Sequence, residues 1–256
     1  MMDTNRVKFM NTYIDSLTSD EAIRVVDEYV KSGSPHYVVT PNADIVMKMQ
    51  DNCELLEACN HADLILADGQ IVVGLASFLG TPIKERVPMT DFVWKVLDLA
   101  EEKGYKVFLF GGMPDILDKG RKRIAARYPY LNFAGVYSPP YGFEKDKSRL
   151  SDIINLLRNS QADILLVFLG CPKQELFLAQ FYKDIEIPVS ITMGGCIDFI
   201  GNDKIKLAPI WMQKIGLEWF FRFMMEPKRL FKRYFIDDMK IFPLALKYKL
   251  GIARRI

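Results

Sequence analysis

Up to about Gly201 the chain alternates short apolar runs with longer amphipathic ones. Six apolar runs stand out: "YVVT" at 37–40, "DLILAD" at 63–68, "KVFLFGG" at 106–112, "NFAGVY" at 132–137, "DILLVFLG" at 163–170 and "VSITMGG" at 189–195. Their cores are continuously apolar, the pattern of strands covered on both faces. The stretches between them carry apolar residues at helical spacing. Thr18 and Glu21 fit a capping box ahead of Ala22, Ile23, Val26, Tyr29 and Val30, and Gly33 ends that helix. Thr40 and Pro41 fit the N-cap and first position of the next one. Thr90 and Asp91 open a helix that reaches Lys103, with Gly104 as its stop. Further helices are expected over 115–128, over 148–160 and between the last two strands. The alternation predicts an α/β fold with a mostly parallel sheet flanked by helices.

After Gly201 the strand-like runs stop, and aromatic and basic helical segments continue to the C-terminus. The expected division is an α/β core over 1–203 and a helical appendage over 204–256. Charge sharpens the division. Residues 1–203 hold 21 Lys and Arg against 28 Asp and Glu, a net of −7. Residues 204–256 hold 13 against 4, a net of +9. A basic segment on an acidic body meets something anionic, either an external surface or the body itself. In "GLEWFFRFMMEPKRLFKRY", at 216–234, Pro227 fits the first turn of a new helix. Beyond it Lys228, Arg229, Lys232 and Arg233 fall on one helical face, and Leu230, Phe231, Tyr234 and Phe235 on the other. Such a helix suits an anionic bilayer, with Arg222 before the break turned inward. Asp237 and Asp238 read as a solvated helix face.

Half of the 256 residues are hydrophobic, enough for a sizeable core. The opening "MMDTNRVKFMNTYID" has no apolar stretch before a cleavage site, so no signal peptide is expected. No run approaches a membrane span. The four cysteines are scattered and read as reduced thiols of a cytosolic protein. The two histidines, His36 and His61, lie in no ligand cluster, and no metal site is expected.

In open α/β sheets, ligands bind beyond the carboxyl ends of the strands. Those ends supply Thr40 and Asn42, Asp68 with Gly69, Gly111 and Gly112, "GCPKQE" at 170–175, and Gly194 and Gly195 with Asp198 beyond. Glycine pairs admit a ligand close to the backbone, or they serve only tight turns. The edge suits a nucleotide, yet neither GxGxxG nor GxxxxGK[ST] is present. Asp68 follows four apolar residues and precedes a glycine. It suits either a partly desolvated general base or the cap of the next helix.

These pieces together resemble the WecG/TagA/CpsF family of bacterial glycosyltransferases. The resemblance rests on "TPNADIV" at 40–46, "ADGQIVV" at 67–73, "ERVPMTDF" at 85–92, "GCPKQE" at 170–175, "GGCIDFIGNDKIKLAPIWM" at 194–212 and the segment at 216–234. It implies a Rossmann-like α/β domain with a C-terminal appendage. It also implies metal-independent, inverting transfer of a sugar from a UDP-sugar to a sugar carried on a membrane prenyl diphosphate, in teichoic acid or other cell-surface polysaccharide synthesis. No cofactor is implied, and the donor is N-acetylmannosamine, a uronic acid or another hexose. Carried over by motif, Asp68 resembles the general base, with Thr40 beside it as a catalytic residue. Asn42 and Arg86 would contact the sugars. Gln174, Gly111, Gly112, Gly194 and Gly195 would form the donor site. Arg222, Arg229, Lys232 and Arg233 would face the diphosphate. The implied location is cytoplasmic, peripheral on the inner face of the membrane, and homo-oligomerisation is left open.

The chain departs from the family pattern at three places. Ile71 and Met89 stand where many members have glycine, and Leu207 where many have arginine; either Lys204 or Lys206 replaces the lost charge, or its loss bears on the donor. These departures leave the base in place and the donor sugar open. Two other classes compete. One is a non-catalytic nucleotide-sugar module on the same scaffold. The other is a nucleic-acid binder, which the acidic body disfavours by repelling phosphate backbones.

Overall fold

The computed structural model describes residues 4–203, 205, 208, 209, 211, 212 and 216–252. It opens with an antiparallel pair, β1 (Arg6–Phe9) and β2 (Thr12–Asp15), which the apolar-run pattern does not predict. Asp15 holds this pair to the body. Its carboxylate accepts Arg6 Nε and Nη2, both at 2.9 Å, and the Ile65 N–H at 2.8 Å. Helix α1 (Ser19–Ser32) follows, with the Thr18–Glu21 capping box formed and Gly33 in the left-handed conformation. Then come β3 (His36–Val39), α2 (Ala43–Asp51), α3 (Cys53–Asn60), β4 (Leu64–Ile65), α4 (Gln70–Leu79), α5 (Met89–Lys103) and β5 (Lys106–Gly111). The body continues with α6 (Pro114–Arg127), β6 (Asn132–Tyr137), α7 (Lys147–Asn159), β7 (Ile164–Phe168), α8 (Lys173–Ile185), β8 (Val189–Thr192) and α9 (Cys196–Gly201).

The six strands β3 to β8 form one parallel sheet in the order β4-β3-β8-β7-β5-β6. The α/β, Rossmann-like expectation therefore holds. Along each strand successive side chains enter different cores. Val38, Leu64, Leu109, Leu166 and Ile191 pack with α1, α5, α6 and α9. Tyr37, Ile65, Phe110, Leu165 and Val167 pack with α2, α3, α7 and α8. Both faces are dry, which is why the strands read as unbroken apolar runs.

Three expectations shift. The helix after β3 is capped by Asn42, not Thr40, because Asn42 Oδ1 accepts the Ile45 N–H at 3.1 Å. The run at 63–68 pairs as a strand only over Leu64–Ile65, so Asp68 lies in the loop beyond it. Gly69 caps α4 with no side-chain bond, so Asp68 is not a helix cap.

In the C-terminal region we label α10 (Glu218–Met225), α11 (Pro227–Lys232) and α12 (Ile241–Lys249). Lys204, Lys206 and Leu207, together with the exact start of the appendage, lie outside the described residues. The single two-faced helix expected after Pro227 does not form. A π-helical turn over Arg233–Asp237 rotates the chain after α11. Leu230 is buried, while Phe231 and Phe235 stay exposed. Arg233 turns back onto the body, 3.3 Å from Asp44 and 3.8 Å from Asp238. Asp238 is buried, and its pKa rises to about 6, through desolvation first, with Arg233 opposing. The solvated-face reading of Asp238 is thus corrected. Farther on, Ile241, Ala245 and Tyr248 of α12 close a third core with Phe9, Ile14, Val46, Val72 and Ala76.

Candidate active site

The carboxyl ends of β3, β4 and β8 meet where the strand order reverses. Thr40 is buried there, and its Oγ1 donates to Thr192 O at 3.2 Å, joining the ends of β3 and β8. The Asp68 N–H donates to Pro41 O at 3.1 Å, and the Val87 N–H to Ala67 O at 2.9 Å. These two bonds bring the loop bearing Asp68 against both the Thr40–Asn42 turn and the segment bearing Arg86.

Asp68 is half-buried among charged neighbours. Its pKa rises to about 6, mainly through desolvation. Arg86 opposes the rise, Glu218 adds to it, and the Met89 N–H at the start of α5 and Arg222 lower it again. Arg86 gives its fork to Glu218, with Nη1 2.6 Å from Oε2 and Nη2 3.0 Å from Oε1. Asp91 lies in the same group, and its pKa is raised by burial first and by Glu218 second.

The glycine pairs divide. At Gly111, φ is 108°, and an added Cβ would lie 2.7 Å from the Phe168 carbonyl carbon. The Gly112 N–H bonds Phe168 O at 2.9 Å, so this pair is needed by the packing of β5 on β7. At Gly195 the added Cβ would instead meet Asp198 Oδ2 at 3.5 Å and Arg222 Nη2 at 3.8 Å, so this pair faces the charged cleft. Gln174 is buried behind it. Its Oε1 accepts the Gly194 N–H at 3.0 Å, and its Nε2 donates to Glu175 Oε1 at 2.9 Å. Glu175 is buried too, and desolvation raises its pKa. The Gln174–Glu175 pair therefore sets the shape of the glycine loop from beneath.

The four C-terminal residues expected to face the diphosphate do not all converge, although Arg222 and Arg229 both act on Asp198. Arg222, on α10, reaches the cleft with its guanidinium 4.9 Å from the centre of the Phe199 ring. Its Nε is buried without a hydrogen-bond acceptor among the described residues. Arg229 is exposed and paired with Glu226. Lys232 is exposed, and Arg233 is committed to Asp44 and Asp238. Arg222 is thus seated against Asp68, Gly195 and Asp198, with Arg229 acting on Asp198 from farther along the chain. Sequence reasoning missed Glu218 and Thr192. Glu218 stands one helical turn before Arg222, a spacing that places both on one face of α10.

Among the described residues no group of three or more His, Cys, Asp or Glu side chains is placed to hold a metal ion. No described helix is long and apolar enough to cross a membrane.

The profile of the Glycosyl transferase WecG/TagA/CpsF family matches residues 7–255. An N-acetylglucosaminyldiphosphoundecaprenol N-acetyl-beta-D-mannosaminyltransferase from Bacillus spizizenii is 29% identical over 251 residues, covering 98% of this chain and 92% of its own length. A Staphylococcus aureus (strain MW2) protein of the same name is 26% identical over 255 residues, covering 99% and 95%.

Proposed function

From the premise that the chain belongs to the WecG/TagA/CpsF glycosyltransferase family, we propose that it moves a sugar from a UDP-sugar to a sugar carried on a prenyl diphosphate, with inversion and without a metal ion. The observation that carries this reading is the Asp68 carboxylate at the strand edge, with a raised pKa and with Arg86 and Arg222 beside it. In the proposed step the acceptor hydroxyl loses its proton to Asp68. Its oxygen bonds the anomeric carbon while the bond to the UDP oxygen breaks, and UDP leaves with that electron pair. A single displacement needs one base and no second carboxylate nucleophile. The charge growing on the diphosphate is met by Arg222 and by the Gly195 N–H of the glycine loop. The names of the two relatives support N-acetylmannosamine as donor sugar and diphosphoundecaprenol-linked N-acetylglucosamine as acceptor.

A screen of UDP-sugars against prenyl-diphosphate N-acetylglucosamine or glucose, with EDTA present, tests the reading. Turnover of UDP-N-acetylmannosamine undiminished by EDTA is the expected result. UDP binding without transfer from any donor would favour a non-catalytic module.

The same reading places the enzyme on the anionic inner face of the membrane. Trp219, Phe223, Phe231 and Phe235 form one aromatic cluster with ring centroids 5.1–6.5 Å apart. Phe231 is 55% and the neighbouring Met224 63% exposed. Replacing Phe231 and Phe235 together with serine is expected to weaken sedimentation with anionic vesicles at least about tenfold. Unchanged sedimentation would remove this surface from the docking site.

A further inference from the structure

Three carboxylates compete for one guanidinium at the edge of the cleft. Asp68, Asp91 and Glu218 all act electrostatically on Arg86. The Nη1–Nη2 edge of a guanidinium holds one carboxylate in two-bond geometry, and here that edge is given to Glu218, 132 residues along the chain. Asp68 keeps the Met89 N–H, while Arg86 and Arg222 act on it through charge alone. Without α10 in place, Asp68 and Asp91 would be the acidic partners left to Arg86. A carboxylate held by arginine is a weak base.

We propose that Glu218 is a positioning residue that arms the base: when α10 docks, Glu218 takes the Arg86 fork and leaves the Asp68 carboxylate free to accept a proton. The inference rests on the reading of Asp68 as the base. It makes base strength a property of the assembled C-terminal region, so transfer and docking of α10 are coupled.

The groups that face Asp68 fix the sign of the test. Arg86 comes from the segment before α5, Met89 and Asp91 from α5, Cys196 from α9, and Glu218 and Arg222 from α10. Removing the Glu218 charge takes away a repulsion and releases an attractive cation, and both effects lower the Asp68 pKa. In the full chain labelled with ¹³C-aspartate, the Asp68 carboxyl resonance is identified as the one missing from Asp68→Asn. It is expected to titrate near 6, and about half to one pH unit lower in Glu218→Gln. Glu218→Asp should restore most of the wild-type midpoint, and Arg86→Gln should move it upward. An unmoved or raised midpoint in Glu218→Gln overturns the inference. Kinetics with UDP-N-acetylmannosamine and prenyl-diphosphate N-acetylglucosamine separate the two claims. A lowered acid limb in Glu218→Gln supports both, whereas Asp68→Asn with full activity removes the base assignment even if the midpoint moves.

Discussion

Replacing Asp68 with asparagine is expected to lower kcat/KM for sugar transfer by about 10²–10⁴-fold while leaving the protein folded. The amide keeps the size of the carboxylate and can still accept the Met89 N–H, but it cannot take the acceptor proton. In the wild type, kcat/KM should rise tenfold per pH unit below about 6 and level off above it, because the ionised form is the active one. The same shift has a consequence for stability. A carboxyl whose folded pKa lies above its unfolded value favours the folded state most at low pH. That contribution is present below the unfolded pKa and is lost as pH rises through about 6. At pH 7–8 the ionised carboxylate therefore costs stability, by about 1–2 kcal/mol after allowing for its partial exposure. Asp68→Asn should remove that cost at pH 7–8 and gain little near pH 4. Urea unfolding at the two pH values, beside steady-state kinetics, reads both effects. A variant that is fully active, or that is destabilised at pH 8, contradicts the assignment.

The second large effect is expected at Arg222. Its change to alanine should lower kcat/KM by about 10²–10³-fold, the usual consequence of removing a preorganised donor to a developing oxyanion. The loss in stability should stay within about 1–2 kcal/mol, since the main contact removed is the stacking on Phe199. Lysine should not restore the rate, because it carries the charge without the planar fork. The acid limb should also move slightly upward, since Arg222 lowers the Asp68 pKa. Arg229→Ala should be far milder, because that side chain is exposed and paired within its own turn to Glu226. Equal losses at Arg222 and Arg229 would mean that the two act together on the diphosphate. Unchanged product inhibition by UDP in Arg222→Ala would remove the leaving-group role.

Much of the body was legible because two-sided burial leaves a direct mark. Tyr37 to Val39, Val107 to Phe110 and Ile164 to Phe168 are apolar without interruption because each side of the sheet is dry. The antiparallel pair at the N-terminus left no such mark, since Asp15 fastens it through a buried carboxylate and its strands are four residues long. Asp68 was visible as a carboxylate after an apolar run. The contacts of Thr40, Gln174 and Gly111 are not legible in sequence, because a buried bridge, a loop support and a tight strand contact use the same residue types as a substrate pocket. The C-terminal helices were the least legible part. Helical periodicity assumes a continuous helix, and the π-turn after Lys232 breaks that assumption. Arg233 and Asp238 consequently exchange an expected solvent face for each other.

The third core bears on how the C-terminal region is held. Helix α12 is built into the packing of β1, α2 and α4, and α9 is built into the body beneath the sheet edge. Helices α10 and α11 lie in the chain between these two packed segments. Cutting the chain before α10 would not yield a bare, well-behaved catalytic body. It would expose Phe9, Val46, Val72 and Ala76, so a truncated protein that fails reports a broken core as much as a missing cover.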